Sequence, residues 1–255
     1  MNAFGYGFVM PLYAITHLLT SDTVSPYGPP MICAFQIEDS TSLTTLPTSF
    51  VIGYFIPIVL MAVPFSSNML HQWLSGLWQG FPLWIALFQL ILGRVSRNRK
   101  EQQINPQTII RNLRVVYSFA FISASVSHMT TFVLIVVARF LPFLLSPSLA
   151  EAFTFRNVFV PPSFQNPGLM KSMATGIHNF FQYDQYVGSI AAILWILTLK
   201  LNTDMRRITA REAKRLIFEL VGAGLLAGPA GVMLALMWDR ENSLLLNNGA
   251  ARGGY

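Results

Sequence analysis

Charge is scarce in this chain. Only 11% of its 255 residues are charged, against about 25% in a soluble domain, which argues against a water-soluble fold. Cysteine is scarcer still. Cys33 stands alone, so no intrachain disulfide forms and no CxxC or Cys/His metal pattern exists. HExxH, the Walker loop, GxGxxG and GxSxG are all missing. So is an acidic DDxxD-like run of the kind that chelates Mg²⁺ around a diphosphate. Met1-Asn2-Ala3-Phe4-Gly5 has no basic character, so no cleaved signal peptide is expected. No internal repeat supports an inverted-repeat transporter.

What the chain has is apolar length. Hydrophobic residues make up 53% and the mean hydropathy is +0.49. A bilayer-spanning helix needs about 20 apolar residues. Six stretches approach that: Phe4 to Leu19, Ser49 to Pro64, Trp73 to Leu92, Val115 to Leu141, Tyr186 to Leu199 and Leu216 to Trp238. The expected fold is an all-α integral membrane protein, a bundle of about six transmembrane helices. It forms one domain over 1–246, with a disordered Gly/Asn-rich tail over 247–255. The net charge of +6 sits mostly in two loops, Arg94 to Arg114 and Lys200 to Arg215. Topology explains it better than nucleic acid does, and no nucleic-acid partner is expected. Both loops then face the cytosol and the 146–180 loop faces the lumen. Prolines 147, 161, 162 and 167 forbid a continuous helix there, and its phenylalanines suggest a loop that packs on the bundle or lies in the membrane interface. The acidic 21–46 loop falls on the cytosolic side, where the charge rule fits poorly. One further helix ahead of Met1 would return the N-terminus to the cytosol.

Against this background Asp184 stands out, in His178-Asn179-Phe180-Phe181-Gln182-Tyr183-Asp184-Gln185-Tyr186. A carboxylate at the centre of a bilayer helix costs roughly 2.5–3.5 kcal/mol on insertion scales, and less near the interface. Asp239 and Glu241 end the sixth span, so an antiparallel hairpin of spans five and six brings Asp184 and Asp239 to one mouth. His17 and Tyr13, four apart, share a helix face; His17 either lines a cavity or is satisfied by Thr20 or Ser21. His128 lies well inside span four, as a functional group or as a hydrogen-bonded link between helices. In span three Trp78 is interior, Gln79 and Gln89 need partners, and Gly76, Gly80 and Pro82 loosen the helix. Gly224 and Gly228 form a GxxxG pair before Pro229, which kinks the span. Glu219 is spaced to pair with Arg215.

Three sets of residues carry a resemblance. The first is Tyr6-Gly7-Phe8-Val9-Met10-Pro11-Leu12-Tyr13 through His17-Leu18-Leu19-Thr20-Ser21. The second is Trp78-Gln79 with Phe81-Pro82-Leu83-Trp84. The third is Gln182-Tyr183-Asp184 with Gly228-Pro229-Ala230-Gly231 through Trp238-Asp239-Arg240-Glu241. Together they resemble the fungal membrane-bound terpene cyclases of meroterpenoid and indole-diterpene pathways, the group of the ascofuranone/ascochlorin cyclases and the paxilline-cluster membrane protein. Relative to that family the chain is expected to lack one N-terminal helix. The resemblance implies a metal-independent, proton-initiated cyclisation of a prenylated or epoxyprenylated aromatic intermediate. Asp184 would be the general acid, with Asp239 as its partner or the acid itself. Glu219 and Glu38 are weaker candidates. His17, Trp78, Gln79, His128 and Tyr183 would bind substrate. No metal and no cofactor are implied. The expected partners are a prenylated small molecule, the lipid bilayer and other membrane enzymes of the same pathway, in the endoplasmic reticulum. A small transporter or lipid-handling protein, or a noncatalytic scaffold, are the alternatives.

Overall fold

The computed structural model describes residues 5–21, 41–63, 65–97, 106–163, 172–203 and 209–252, and every regular element among them is helical. They fall into two compact units. One draws on Gln36–Ala120, the other on Phe4–Phe35 and Phe121–Tyr255.

In the first unit, α2 (Thr41–Phe50) continues through a π turn (Val51–Phe55) into α3 (Ile56–Ala62). Then come α4 (Asn68–Gln79), α5 (Phe81–Arg97) and the start of α6 (Pro106–Phe140). Ser67 caps α4 by accepting from the Leu70 N–H at 3.3 Å. The expected third span is not one helix. α4 and α5 meet at Gly80 with a 64° bend. The cause is Pro82, which lacks an N–H and whose ring would collide with the carbonyl four residues back, that of Trp78. The break satisfies the Leu77 carbonyl, which accepts from the Gly80 N–H at 3.1 Å and the Trp84 indole at 2.8 Å. Against α5, Gly53 lies so close that a Cβ there would be 2.8 Å from the Ile85 nitrogen. Gln89 finds the partners its burial demands. Fully buried Ser49 donates to its Oε1 at 2.8 Å, and its amide donates to the Ser42 carbonyl at 2.5 Å.

The second unit contains α1 (Tyr6–Thr20), the rest of α6, a 3-10 turn (Pro142–Leu144), α7 (Pro147–Ala152), α8 (Phe155–Phe159), α9 (Met173–Thr203) and α10 (Ala210–Arg252). Both α1 and α10 pack on α9. Its buried residues include Ser189, Ala192, Ile196 and Leu199. Gly188 lets α1 approach, because any Cβ there would run into the Tyr6 ring. The two helices are parallel, since Tyr6 and Gly7 meet Asp184 at one end and His17 meets Trp195 further along.

α10 is broken at Gly228, with φ 63° and ψ −158°. That conformation is open essentially to glycine alone. The two arms fold back on each other. A Cβ on Gly231 would strike the Ala223 carbonyl, and one on Gly224 would lie 3.3 Å from Val232. The kink expected at Pro229 is thus a reversal; of the expected pair, Gly224 approaches the other arm of the same helix, while Gly228 approaches His128 of α6. The second arm is helical through Arg252, where the sequence suggested a disordered tail from Asn247. Leu244, Leu245, Leu246, Ala250 and Ala251 are strong helix formers that offset the Asn and Gly residues.

Among the described residues, three helical stretches have the length and apolar composition of a membrane span: Ser42–Ala62, Thr108–Phe140 and Ala210–Ser243, the last of them folded back at Gly228. The bent pair Asn68–Gln79 and Phe81–Ser96 makes a fourth if it counts as one span. The expected count of six is not confirmed among the described residues. α1 has 15 residues, and the apolar part of α9 is bounded by Asp184-Gln185 and Lys200. Large apolar side chains lie fully outward, among them Leu19, Phe140 and Phe218, as lipid-facing surface requires.

Candidate active site

Asp184 binds the start of α1. Its Oδ2 accepts from the Tyr6 N–H at 2.9 Å and its Oδ1 from the Gly7 N–H at 2.8 Å. The first amides of a helix have no intrahelical acceptor, and the helix dipole favours an anion there. Asp184 meets both needs from 177 and 178 residues away. Gly5 and Gly7 make room, since a Cβ on Gly5 would overlap the carboxylate and one on Gly7 would lie 2.9 Å from the Asp184 carbonyl oxygen.

The polar residues around Asp184 form a clamp. His178 Nε2 lies 2.9 Å from the Asn157 carbonyl, and the Gln182 amide donates to the Asn157 and Val158 carbonyls at 2.6 and 3.1 Å. The hydroxyls of Tyr183 and Tyr186 donate to the carbonyls of Pro162 and Phe159. Each uses a side chain of α9 to satisfy backbone that leaves the helical pattern at α8 and just after it. The proline-rich loop therefore packs on the bundle, as its phenylalanines suggested, and Tyr183 is one of its anchors.

Asp239 is elsewhere. It forms an ion pair with Lys200 through Oδ2; the Lys200 side chain is 5% exposed and that of Asp239 41%. Asp184 and Lys200 are both on α9, sixteen residues apart, or roughly 24 Å at the helical rise. The expected Asp184–Asp239 pair is therefore not formed. The reason is the reversal at Gly228, which sends the second arm of α10 back along α9. Tyr6 Oη touches Met233 Sδ at 3.9 Å on the way to Asp239. Beside Asp239, Arg240 and Glu241 are buried at 6% and 7% exposure.

His17 is satisfied, but not by Thr20 or Ser21. Its Nδ1 accepts from the Trp195 indole at 3.2 Å, which leaves the proton of a neutral ring on Nε2. Tyr13, His17 and Trp195 form a ring cluster with centroids 5.2–5.8 Å apart. Trp195 precedes Lys200 by five residues, roughly 7.5 Å of helix, so these rings belong to the Asp239 end. His128 sits at the reversal. Its Nδ1 would be 2.9 Å from a Cβ on Gly228, and its ring packs edge-on against Phe132 and Phe159 at 4.9 and 6.1 Å. Glu219 pairs with Arg215 at 2.7 Å, as its spacing suggested. Glu38 lies outside the described residues. Trp78 and Gln79 belong to the first unit, where Trp78 stacks on Phe81 and meets Tyr54 and Gln79 is exposed. Sequence reasoning missed Lys200, Trp195 and Gly188, which acquire meaning only through contacts distant in the chain. Among the described residues no three His, Cys, Asp or Glu side chains gather as a metal site would require.

The CtvD domain family profile matches residues 1–245. The chain belongs to the CtvD domain family. Curated relatives include terpene cyclase ascI of Acremonium egyptiacum, 26% identical over 94% of this chain and 60% of the relative. Terpene cyclase janA of Penicillium janthinellum is 27% identical over 74% and 49%. Terpene cyclase ctvD of Aspergillus terreus is 24% identical over 91% and 63%. The resemblance to fungal terpene cyclases thus holds across the CtvD domain. The chain spans between about half and two thirds of the length of these relatives. No solved structure matches it.

Proposed function

We propose that this chain is a membrane-bound terpene cyclase of the endoplasmic reticulum, acting on a prenylated or epoxyprenylated aromatic intermediate. The observation that carries this reading is the family match over residues 1–245, with relatives that bear the name terpene cyclase. The reaction is a metal-independent isomerisation. A proton adds to the epoxide oxygen or terminal alkene, and the resulting cation is captured by a neighbouring π bond or hydroxyl. An equal proton is then lost, so the product has the formula of the substrate.

The proton comes from the Lys200 ammonium of the Lys200–Asp239 pair; the Asp239 carboxylate holds that ammonium in place, takes up the proton lost when the cation is captured, and returns it to the Lys200 amine. Both oxygens of Asp184 are engaged as acceptors, which suits a residue that positions α1. Asp239 gives one oxygen to Lys200 and is the more accessible member of its pair. The Tyr13, His17 and Trp195 rings supply π faces at that end, and such faces attract a cation.

The test uses microsomes from a fungal host supplied with prenylated phenols and their epoxides, with mass and NMR analysis of products. The parent should give a cyclised isomer. Asp239→Asn should lower the rate by about 10²–10⁴, the range of general acid–base catalysis. A parental rate from Asp239→Asn removes that residue from the chemistry.

A further inference from the structure

The first unit contains a polar group with nothing to bind. The Trp78 indole nitrogen is buried and has no hydrogen-bond partner among the described residues. A buried indole N–H normally finds an acceptor, and two others here do: Trp84 donates to the Leu77 carbonyl and Trp195 to His17. The unsatisfied donor sits at a special place in the backbone. Trp78 precedes the Gly80 bend between α4 and α5, and Tyr54, whose ring faces it, lies in the π turn Val51–Phe55. Within a membrane, irregular backbone is tolerated where protein covers it or where it lines a cavity, and π turns gather at functional sites. The bend needs no ligand to hold it, because the Leu77 carbonyl is already satisfied. Around the indole, Phe81 stacks at 6.2 Å and Tyr54 lies at 6.5 Å from Trp78 and 5.1 Å from Phe81. One donor inside three aromatic rings matches an apolar ligand that carries an oxygen acceptor.

We infer that Tyr54, Trp78 and Phe81 form a substrate subsite in which the Trp78 N–H donates to an oxygen of the prenylated ligand while the rings hold its hydrocarbon. This rests on the cyclase reading and adds to it the donor and the rings that select an oxygenated substrate. Gln79 takes no part, since it is exposed and points one residue further round the helix.

The probes are a phenol bearing a farnesyl chain with a terminal epoxide, and the same phenol with a terminal alkene. Binding to the purified full chain in detergent is measured for the parent, for Trp78→Phe, and for a protein with 3-benzothienylalanine at position 78, which keeps the ring shape and removes only the N–H. The benzothienyl replacement should not lower the unfolding temperature, because it deletes an unsatisfied donor and keeps the ring, whereas Trp78→Phe also loses ring packing and should lower it somewhat. Both replacements should weaken the epoxide probe roughly 5–10-fold. A loss confined to the epoxide probe assigns the contact to the chain terminus, and an equal loss with both probes assigns it to the phenol oxygen. Phe81→Leu should weaken both probes. If the parent binds and cyclises the epoxide while the benzothienyl protein binds both probes as the parent does, the subsite is refuted and the cyclase reading stands. If the parent neither binds nor cyclises either probe, both fall.

Discussion

Replacing Asp184 should first undo the docking of α1, whatever else it does. In the structure the carboxylate closes the N-terminus of α1 with two bonds, at 2.9 and 2.8 Å. A hydrogen bond to a charged group is worth about 1.5–3 kcal/mol, and the helix dipole adds about 0.3–1 kcal/mol. Tyr6 and Gly7 are only half-buried, so water recovers part of each bond once the side chain is gone. Asp184→Ala should therefore cost about 2–4 kcal/mol. Asp184→Asn should cost about half as much, because its amide oxygen still accepts one N–H while its NH₂ group confronts the other. At roughly 2–4 °C per kcal/mol for chains near this length, Asp184→Ala should lower the unfolding temperature of the purified protein by about 4–16 °C. Amide exchange should rise at Tyr6 to Val9 before it rises elsewhere. If exchange at these amides and the unfolding temperature both match the parent in Asp184→Ala, the cap contributes nothing and the reasoning fails. The same variants separate positioning from chemistry. Loss of cyclisation in Asp184→Asn should follow the loss of docked α1. A variant as stable as the parent, yet slower by 10² or more, would return the acid role to Asp184 and take it from the Lys200–Asp239 pair.

Gly228→Ala should destabilise by about 2–4 kcal/mol, combining backbone strain of about 1–3 kcal/mol with the approach of the new methyl to His128. His128→Ala in the same chain should restore part of that stability but not the strain, as a double-mutant cycle on thermal unfolding will read. For the ion pair, Asp239→Asn leaves Lys200 buried without its counter-charge. Breaking a buried pair costs about 3–5 kcal/mol, less here because Asp239 is partly exposed, so about 2–3 kcal/mol is expected. Lys200→Met added to Asp239→Asn should recover stability without recovering cyclisation; recovery of both would show that the pair is structural. Gln89→Leu strips the Ser49 hydroxyl and the Ser42 carbonyl of a partner and should cost about 1–3 kcal/mol, measured by denaturation in detergent.

What could be read in the sequence was local. The i to i+4 spacing of Arg215 and Glu219 predicts their ion pair because one helical turn brings such residues together whatever the rest of the chain does. Gln89 in an apolar run announces that a partner exists, and Gly224, Gly228 and Pro229 announce a disturbed helix. None of these says how large the disturbance is or who the partner will be. Gln89 binds Ser49 and Ser42, forty or more residues away. His17 binds Trp195 rather than the nearby Thr20 or Ser21. Lys200 looked like one more loop cation, yet it is among the most buried charged residues described.

The position of Asp239 turned on a single backbone angle. Continued straight past Gly228, eleven residues of helix would carry Asp239 roughly 16 Å onward, to the mouth where Asp184 was expected to meet it. With Gly228 at φ 63° the same residues run back to Lys200. Gly-Pro is compatible with either path, and only the packing of His128 and of the small residues Ala223, Gly224 and Gly231 selects the reversal. The energetic argument for Asp184 has the same weakness. A carboxylate in an apolar chain must be offset by something, but the N-terminus of a helix offsets it as well as a catalytic task would. The cost establishes that a compensating partner exists. The two N–H groups of α1 identify that partner, and proton transfer falls instead to the Lys200–Asp239 pair, whose ammonium carries a proton and whose carboxylate can receive one.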